Sequence, residues 1–344
     1  MNFSGKTVYI HIGASKTGST SIQKTLSNMC RFNRLPDDFV YLKSDINASN
    51  GLAWAIGEVA SCPGAKLVKR NNALSILKSF DEKLKKNTHK NVIISSEGFS
   101  KLGSKGQKFL KFFFRKYFEK VVIIGYVRNF HEYMASSYQQ ILKNPSSDQV
   151  FSGKFLRNRV RNLYDNLSSY VDLFGNENVI YQFFPGVENL SWDVVANFFF
   201  QLQIPYFEQE RLYENAGLSL PAVKALYSLN RYSFESKISR KPYFREFIDW
   251  LRTFEGVKFS FDSNLSWKLI GGKSGFTKRS RDFFSEQIFQ SPASSGIKEF
   301  STLNVIDREV VKRIGSIFSD VRIKNTTEQS QYIKKILNSS HCSI

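Results

Sequence analysis

Between Val8 and Leu26 the sequence reads VYIHIGASKTGSTSIQKTL. A β-branched run, a Gly-containing turn and a segment of helical spacing follow one another. Gly13, Gly18, Ser19 and Thr20 fit the pattern G-x-x-x-x-G-x-[ST]. The backbone N–H groups of such a turn, with the helix dipole behind them, form a cradle for an anion. Ser19, Thr20 and Ser21 add hydroxyl donors, and Lys16 adds a flexible point charge from inside the turn. A nucleoside-triphosphatase would carry Lys between the second Gly and the hydroxyl residue, where this chain has Ser19.

Two further strand ends carry chemistry. VVIIGYVRNFHEYMASSYQQ runs from Val121 to Gln140 and places Arg128 at the end of an apolar run. Ser136 follows eight residues later, about two turns into the next helix. An Arg fork and a Ser hydroxyl suit a phosphate, although helix capping or a salt bridge would use the same pair. Tyr138 fits simple packing, and Ser137 is a near neighbour of Ser136. NVIISSEGF, from Asn91 to Phe99, ends with Ser95, Ser96 and Glu97. Three roles are open to Glu97: general base, orienting group for an acceptor or for Lys16, or helix-cap partner. His11, within the first apolar run, is the second candidate for a base.

The elements that must hold these groups are legible as a pattern. Thr7–Gly13, Phe39–Lys43, Asn91–Ser96, Val121–Val127 and Asn178–Phe184 are nearly continuous apolar runs, as strands buried on both faces of a parallel sheet are. Helical spacing over Thr20–Arg34, Asn71–Lys86, Ser104–Phe118, His131–Lys143 and Phe155–Phe174 alternates with them. The expected fold class is α/β, a central parallel sheet flanked by helices with a helical C-terminal cover. Ligands of such sheets lie beyond the carboxyl ends of the strands, where all three motifs fall. We read a single domain over residues 1–324, mainly helical from about residue 205, and a polar tail over 325–344. Leu218–Phe234 and Tyr243–Phe254 read as helices, and Ile270–Arg281 as a basic, Gly-rich loop.

HIGASKTGSTSIQ resembles the 5′-phosphosulfate loop of the P-loop sulfotransferases, above all the bacterial carbohydrate-type members, whose loop reads HIGxxKTGTTSIQ. The one departure in the core string, Ser19 for Thr, keeps the hydroxyl. The resemblance covers about Val8 to Gln140 by motif, and a looser pattern reaches Asn178–Arg231, where an Asn-x-x-x-Ser stretch begins at Asn215. It implies transfer of a sulfuryl group from 3′-phosphoadenosine 5′-phosphosulfate (PAPS) to a carbohydrate hydroxyl, by direct in-line attack and without a metal. It also implies roles. Lys16, Thr17, Gly18, Ser19 and Thr20 would bind the 5′ end of the donor, with Lys16 catalytic as well. Arg128 and Ser136, with Tyr138 and Gln140 continuing S-x-Y-x-Q, would hold the 3′-phosphate. Glu97, or failing that His11, would take the acceptor proton. Lys273, Lys278 or Arg279 of the basic loop would reach a phosphate if that loop folded over the nucleotide.

Composition bounds the alternatives. The chain has 344 residues, and 49 Lys+Arg against 30 Asp+Glu give a net charge of +19. Aromatics at 15% supply ample core volume, which excludes global disorder. Three scattered Cys exclude a disulfide framework, and four scattered His argue against a dedicated zinc site. No apolar stretch reaches the ~18 residues of a membrane span and none reads as a signal peptide, so the expected compartment is the cytosol. The charge suits an acidic acceptor, an acidic polymer or peripheral association with an anionic membrane. Lys and Arg spread along the whole chain argue against a specific nucleic-acid partner. Two other functions compete: a nucleotide-dependent kinase, which shares the anion cradle, and a non-enzymatic basic protein that binds polyanions.

Overall fold

A computed structural model of the chain describes residues 5–14, 17–46, 48–61, 67–143, 154–184, 192–206, 217–236, 248–249, 251–252, 255–284, 289, 296–298 and 303. The chain divides into two compact units. The first comprises Met1–Asn129, Arg161–Glu214 and Phe276–Gln290; the second comprises Phe130–Val160, Asn215–Gly275 and Ser291–Ile344.

The first unit is built on five parallel strands: β1 (Thr7–His11), β2 (Phe39–Tyr41), β3 (Asn91–Ser95), β4 (Lys120–Arg128) and β5 (Val179–Phe184). Their order across the sheet is β2-β3-β1-β4-β5. The helices along the chain are α1 (Ser19–Arg31), α2 (Asn50–Ser61), α3 (Leu67–Lys86), α4 (Ser104–Arg115), α5 (Phe130–Lys143), α6 (Lys154–Phe174), α7 (Val194–Gln201), α8 (Leu220–Ser236), α9 (Ser263–Ile270) and α10 (Lys278–Phe284). The expected fold class, a central parallel sheet flanked by helices, is the one observed, and the described elements beyond residue 205 are mainly helical.

Side chains alternate across each strand, so the sheet has two apolar faces. One carries Tyr41, Ile93, Val122, Ile124 and Tyr126, which pack with Ile22, Leu26 and Met29 of α1 and with Val195, Phe198 and Phe199 of α7. The other carries Val8, Ile10, Val92, Ile94, Val121 and Ile123, all buried. Tyr181 of β5 belongs to that second face, and its hydroxyl donates to Leu167 O of α6 at 2.7 Å. Gly125 has no room for a side chain, since a Cβ there would lie 2.5 Å from the Tyr181 ring.

The sequence reading missed two helices. NGLAWAIGEVAS forms α2 although it holds two glycines, and VVANFFFQ forms α7 although its composition suits a strand. In α7 the Asp193 carboxylate caps the helix by accepting from Val195 N at 2.8 Å. The basic stretch read as a loop is partly helical. Gly271 and Gly272 turn the chain at φ 83° and 69°, a 3-10 turn spans Lys273–Gly275, and α10 begins at Lys278. The predicted Tyr243–Phe254 helix lies largely outside the described residues, as does the polar tail over 325–344.

In the second unit α5 is nearly surrounded. Tyr138 lies buried against Phe261 and Phe259, with ring centroids 5.6 and 6.1 Å apart. Gln139 accepts from Leu218 N at 2.8 Å, and Asn230 of α8 donates to Leu142 O at 2.6 Å. Tyr138 therefore packs, and it has none of the exposure that Gln140 has.

Candidate functional site

In a parallel sheet the crevice forms where connections leave in opposite directions. From β1 the chain goes to β2 on one side, and from β4 it goes to β5 on the other. The boundary between β1 and β4 is thus the switch point. The turn after β1 and Arg128 at the end of β4 stand on its two sides. β3, which ends just before Glu97, is the other neighbour of β1.

Register fixes the levels of these groups. His11 pairs with Ser95 of β3 and with Ile124 of β4. Gly13 and Glu97 each follow that rung by two residues, so they leave the sheet at one level on adjacent strands. Arg128 follows Ile124 by four residues on a strand that continues to its tip. At the usual rise of about 3.3 Å per residue it stands about 7 Å beyond the level of Gly13.

The turn itself is tightly built. At Gly13 a Cβ would overlap the Ser19 hydroxyl and lie 2.9 Å from Ser19 Cβ and 3.0 Å from His11 Cε1. Gly18, at φ 78°, is in the left-handed region, and a Cβ there would stand 2.5 Å from Val194 Cγ1. Both glycines of the motif are thus required, one for close approach and one for backbone conformation. Thr17 and Ser19 are buried, and their hydroxyls donate to Ala14 O at 2.7 and 3.4 Å. Their side chains shape the loop rather than extend from it. Among the described residues no side chain caps the start of α1, and no acidic residue stands in its first turn. The half-buried Thr20 is the more accessible hydroxyl there. Ser15 and Lys16 lie outside the described residues.

Behind the turn is a buried polar network that the sequence did not reveal. Ser95 Oγ lies 2.7 Å from His11 Nδ1 and 3.1 Å from Gln23 Nε2, which donates to it. Burial pushes the Tyr41 phenol well up, the Cys30 thiol adds to this, and a hydrogen bond with Ser95 opposes it. One hydroxyl thus joins β1, β2, β3 and α1. Ser95 Oγ accepts from Gln23 and is hydrogen-bonded to His11 Nδ1, while His11 Nε2 has no hydrogen-bond partner among the described residues. The imidazole is fully buried beside the Phe198 and Tyr126 rings, at 5.3 and 5.9 Å between centroids. Burial lowers its pKa to about 3, so it is neutral at physiological pH.

Glu97 stands half-buried in the turn after β3. Its main chain is fixed from both sides. Ser96 N donates to His11 O at 3.1 Å, Gly98 N to Ser96 Oγ at 2.9 Å, and Ser100 Oγ to Glu97 O at 2.8 Å. Ser96 Oγ in turn donates to Asn50 Oδ1 of α2 at 2.7 Å. Arg128 is held in a similar way. Its guanidinium lies 5.2 Å over the Phe184 ring, and its carbonyl accepts from the Tyr164 hydroxyl. Phe184 and Tyr164 were not singled out from sequence, because neither the β4–β5 register nor the position of α6 is written locally.

Ser136 is in the second unit, half-buried on α5 beside the fully buried Ser137, whose hydroxyl has no hydrogen-bond partner among the described residues. Of the basic-loop candidates, Arg279 pairs with Asp172 of α6 at 2.7 Å. Asp165 of the same helix accepts from Thr277 and Ser280, each at 2.6 Å. These contacts bind α10 to α6. Among the described residues no group of three or more His, Cys, Asp or Glu could hold a metal ion. No described helix is long and apolar enough to cross a membrane.

Comparison with known proteins gave no matching family model and no matching curated relative. Among solved structures, a sulfotransferase from Alicyclobacillus acidocaldarius is 12% identical, with a TM-score of 0.41, over 72% of this chain and 96% of that one. The sulfotransferase domain of the Synechococcus PCC 7002 olefin synthase is 15% identical, with a TM-score of 0.36, over 73% and 88%. The sulfotransferase domain of the curacin biosynthetic pathway is 10% identical, with a TM-score of 0.34, over 60% and 76%.

Proposed function

We propose that this chain is a sulfotransferase that moves a sulfuryl group from PAPS to a hydroxyl of a carbohydrate acceptor. The observation that carries the reading is the arrangement at the switch point. The Gly13–Thr20 turn after β1 and Arg128 at the end of β4 flank it, and Glu97 follows β3 by two residues at the level of Gly13. Together with the loop string HIGASKTGSTSIQ, this supports a reading with two separated anion grips and one carboxylate at one end of the sheet.

In this reading the first-turn N–H groups of α1, Thr20 and Lys16 hold the 5′ end of the donor. They stabilise charge building on the leaving phosphate oxygen, a preorganised electrostatic effect. Thr17 and Ser19 keep the turn in shape through Ala14 O. Arg128 grips the 3′-phosphate, and Ser136 is assigned to the same phosphate from its eight-residue spacing in the sequence. Glu97 takes the acceptor proton as the acceptor oxygen attacks sulfur in line and the phosphate leaves. His11 is a positioning residue in this scheme, because a fully buried imidazole with its pKa lowered to about 3 is a poor base at neutral pH.

Calorimetric titration tests the donor assignment. The desulfated nucleotide, 3′-phosphoadenosine 5′-phosphate, should bind without metal, and Arg128→Ala should weaken it strongly. Preference for ATP with Mg²⁺ would favour a kinase instead, and binding of neither would leave a polyanion-binding protein. Radiolabelled sulfate transfer onto a panel of neutral and acidic saccharides then identifies the acceptor.

A further inference from the structure

The outer face of α4 has a composition that the proposed chemistry does not use. Ser104, Lys105, Lys108, Phe112 and Arg115 are its exposed positions, and the exposed Lys116 caps its C-terminus. At 100° per residue they fall within one arc of the helix, and Phe112 lies near its middle. The opposite arc, with Gly106, Gln107, Leu110, Phe113 and Phe114, is buried. Phe112 is 62% exposed, and the Lys116 ammonium lies 4.7 Å over its ring. Phe109, half-buried, borders the same arc. No acidic residue occurs anywhere in α4. Lys101 and Lys120, both exposed, flank the helix in sequence. Two carboxylates stand near it: Glu119, which accepts from Gly5 N, and Asp81 of α3, which accepts from Tyr117, pairs with Lys85 and feels the charge of Lys116.

We propose that this face of α4 binds an anionic lipid surface. A purely electrostatic surface for a polymer needs no apolar centre. An exposed phenyl ring ringed by four cations matches the interface of a bilayer, where the ring enters the acyl boundary and the cations meet headgroup phosphates. The charge of the whole chain favours the same partner. α4 leads from the end of β3 to the start of β4, so it runs antiparallel to the strands. With α4 lying flat on a membrane, the strands lie parallel to that membrane. This inference does not rest on the sulfuryl-transfer reading, and its test reads no turnover.

The test is flotation of the full chain with vesicles of phosphatidylcholine alone and of phosphatidylcholine mixed with phosphatidylserine, at two salt concentrations. Binding is expected only to the mixed vesicles and should weaken with salt. Each neutralised cation should cost about fivefold in partitioning. The combined Lys105→Gln, Lys108→Gln, Arg115→Gln and Lys116→Gln variant should then lose several hundredfold, while Phe112→Ser alone should lose about tenfold. All five positions are exposed, and thermal melts confirm that each variant is folded. Heparin binding separates lipid from polymer, because Phe112→Ser should leave it unchanged. Equal binding to both vesicle types, or full vesicle binding by either variant, would overturn the proposal. So would a surface that prefers heparin and is indifferent to Phe112.

Discussion

Ser95→Ala isolates the polar network behind the turn. The substitution removes one oxygen and creates little space. It leaves His11 Nδ1 and Gln23 Nε2, both in buried residues, without the partner they have at 2.7 and 3.1 Å. An orphaned buried polar group costs about 1–3 kcal/mol, so the pair sets a range of about 2–6 kcal/mol. Gln23 retains 8% exposure and its amide can turn toward water, which places the expected loss in the lower half, about 2–4 kcal/mol. For a unit of this size that corresponds to a fall in melting temperature of about 5–15 °C. The assay is thermal unfolding followed by circular dichroism, paired with titration of 3′-phosphoadenosine 5′-phosphate. Nucleotide affinity should fall too, because His11 packs against Gly13 from below. Ser95→Cys, with its weaker donor and acceptor, should be intermediate. If Ser95→Ala melts at the parent temperature, the network does not hold the strand tips together.

The two glycine environments predict opposite signs. Gly18→Ala places a side chain at φ 78° against Val194 and should cost about 1–2 kcal/mol in backbone strain alone, with loss of nucleotide binding. Gly57→Ala, inside α2 with Leu102 at ordinary contact distance, should gain about 0.5–1 kcal/mol; melting curves read both. The His11 pKa of about 3 lies below the 6.5 of an unfolded histidine, so the unfolded chain binds the extra proton between those values. The His11 contribution is therefore full above about pH 6.5 and is lost as pH falls toward 3, at up to about 1.4 kcal/mol per pH unit; His131, lowered by burial to about 4, adds its own share, so His11→Gln should reduce the slope in denaturant titrations without abolishing it. Glu97→Gln should cut turnover about 10²–10⁴-fold with nucleotide affinity nearly intact, and a variant at full rate would remove Glu97 from the role of base.

The strands were legible because burial on both faces writes continuous apolar runs; each predicted run coincides with an observed strand, β4 extending one residue past its run at either end. The Gly13–Thr20 turn was legible because its two glycines are demanded by sterics that act within a few residues. α7 was not, because Phe198 and Phe199 form a helix by packing on the sheet, against the preference of a β-branched and aromatic run. Nor was the partner of His11. Ser95 is 84 residues away, and only the strand order brings them to one rung. The basic stretch after Ile270 looked free for a ligand because Asp165 and Asp172, which engage Thr277, Ser280 and Arg279, are more than a hundred residues upstream.

β4 outruns its neighbour β1 by four rungs, and that overhang works as a calliper. With strands about 4.8 Å apart and Arg128 about 7 Å above Gly13, the two jaws are separated by roughly 8–9 Å. With the turn and Arg128 as the two anion grips of the proposed function, a lone inorganic anion would engage one jaw only, and a molecule with negative groups at both ends would gain from both; on that proposal the difference in length between two strands sets the shortest ligand that the crevice rewards.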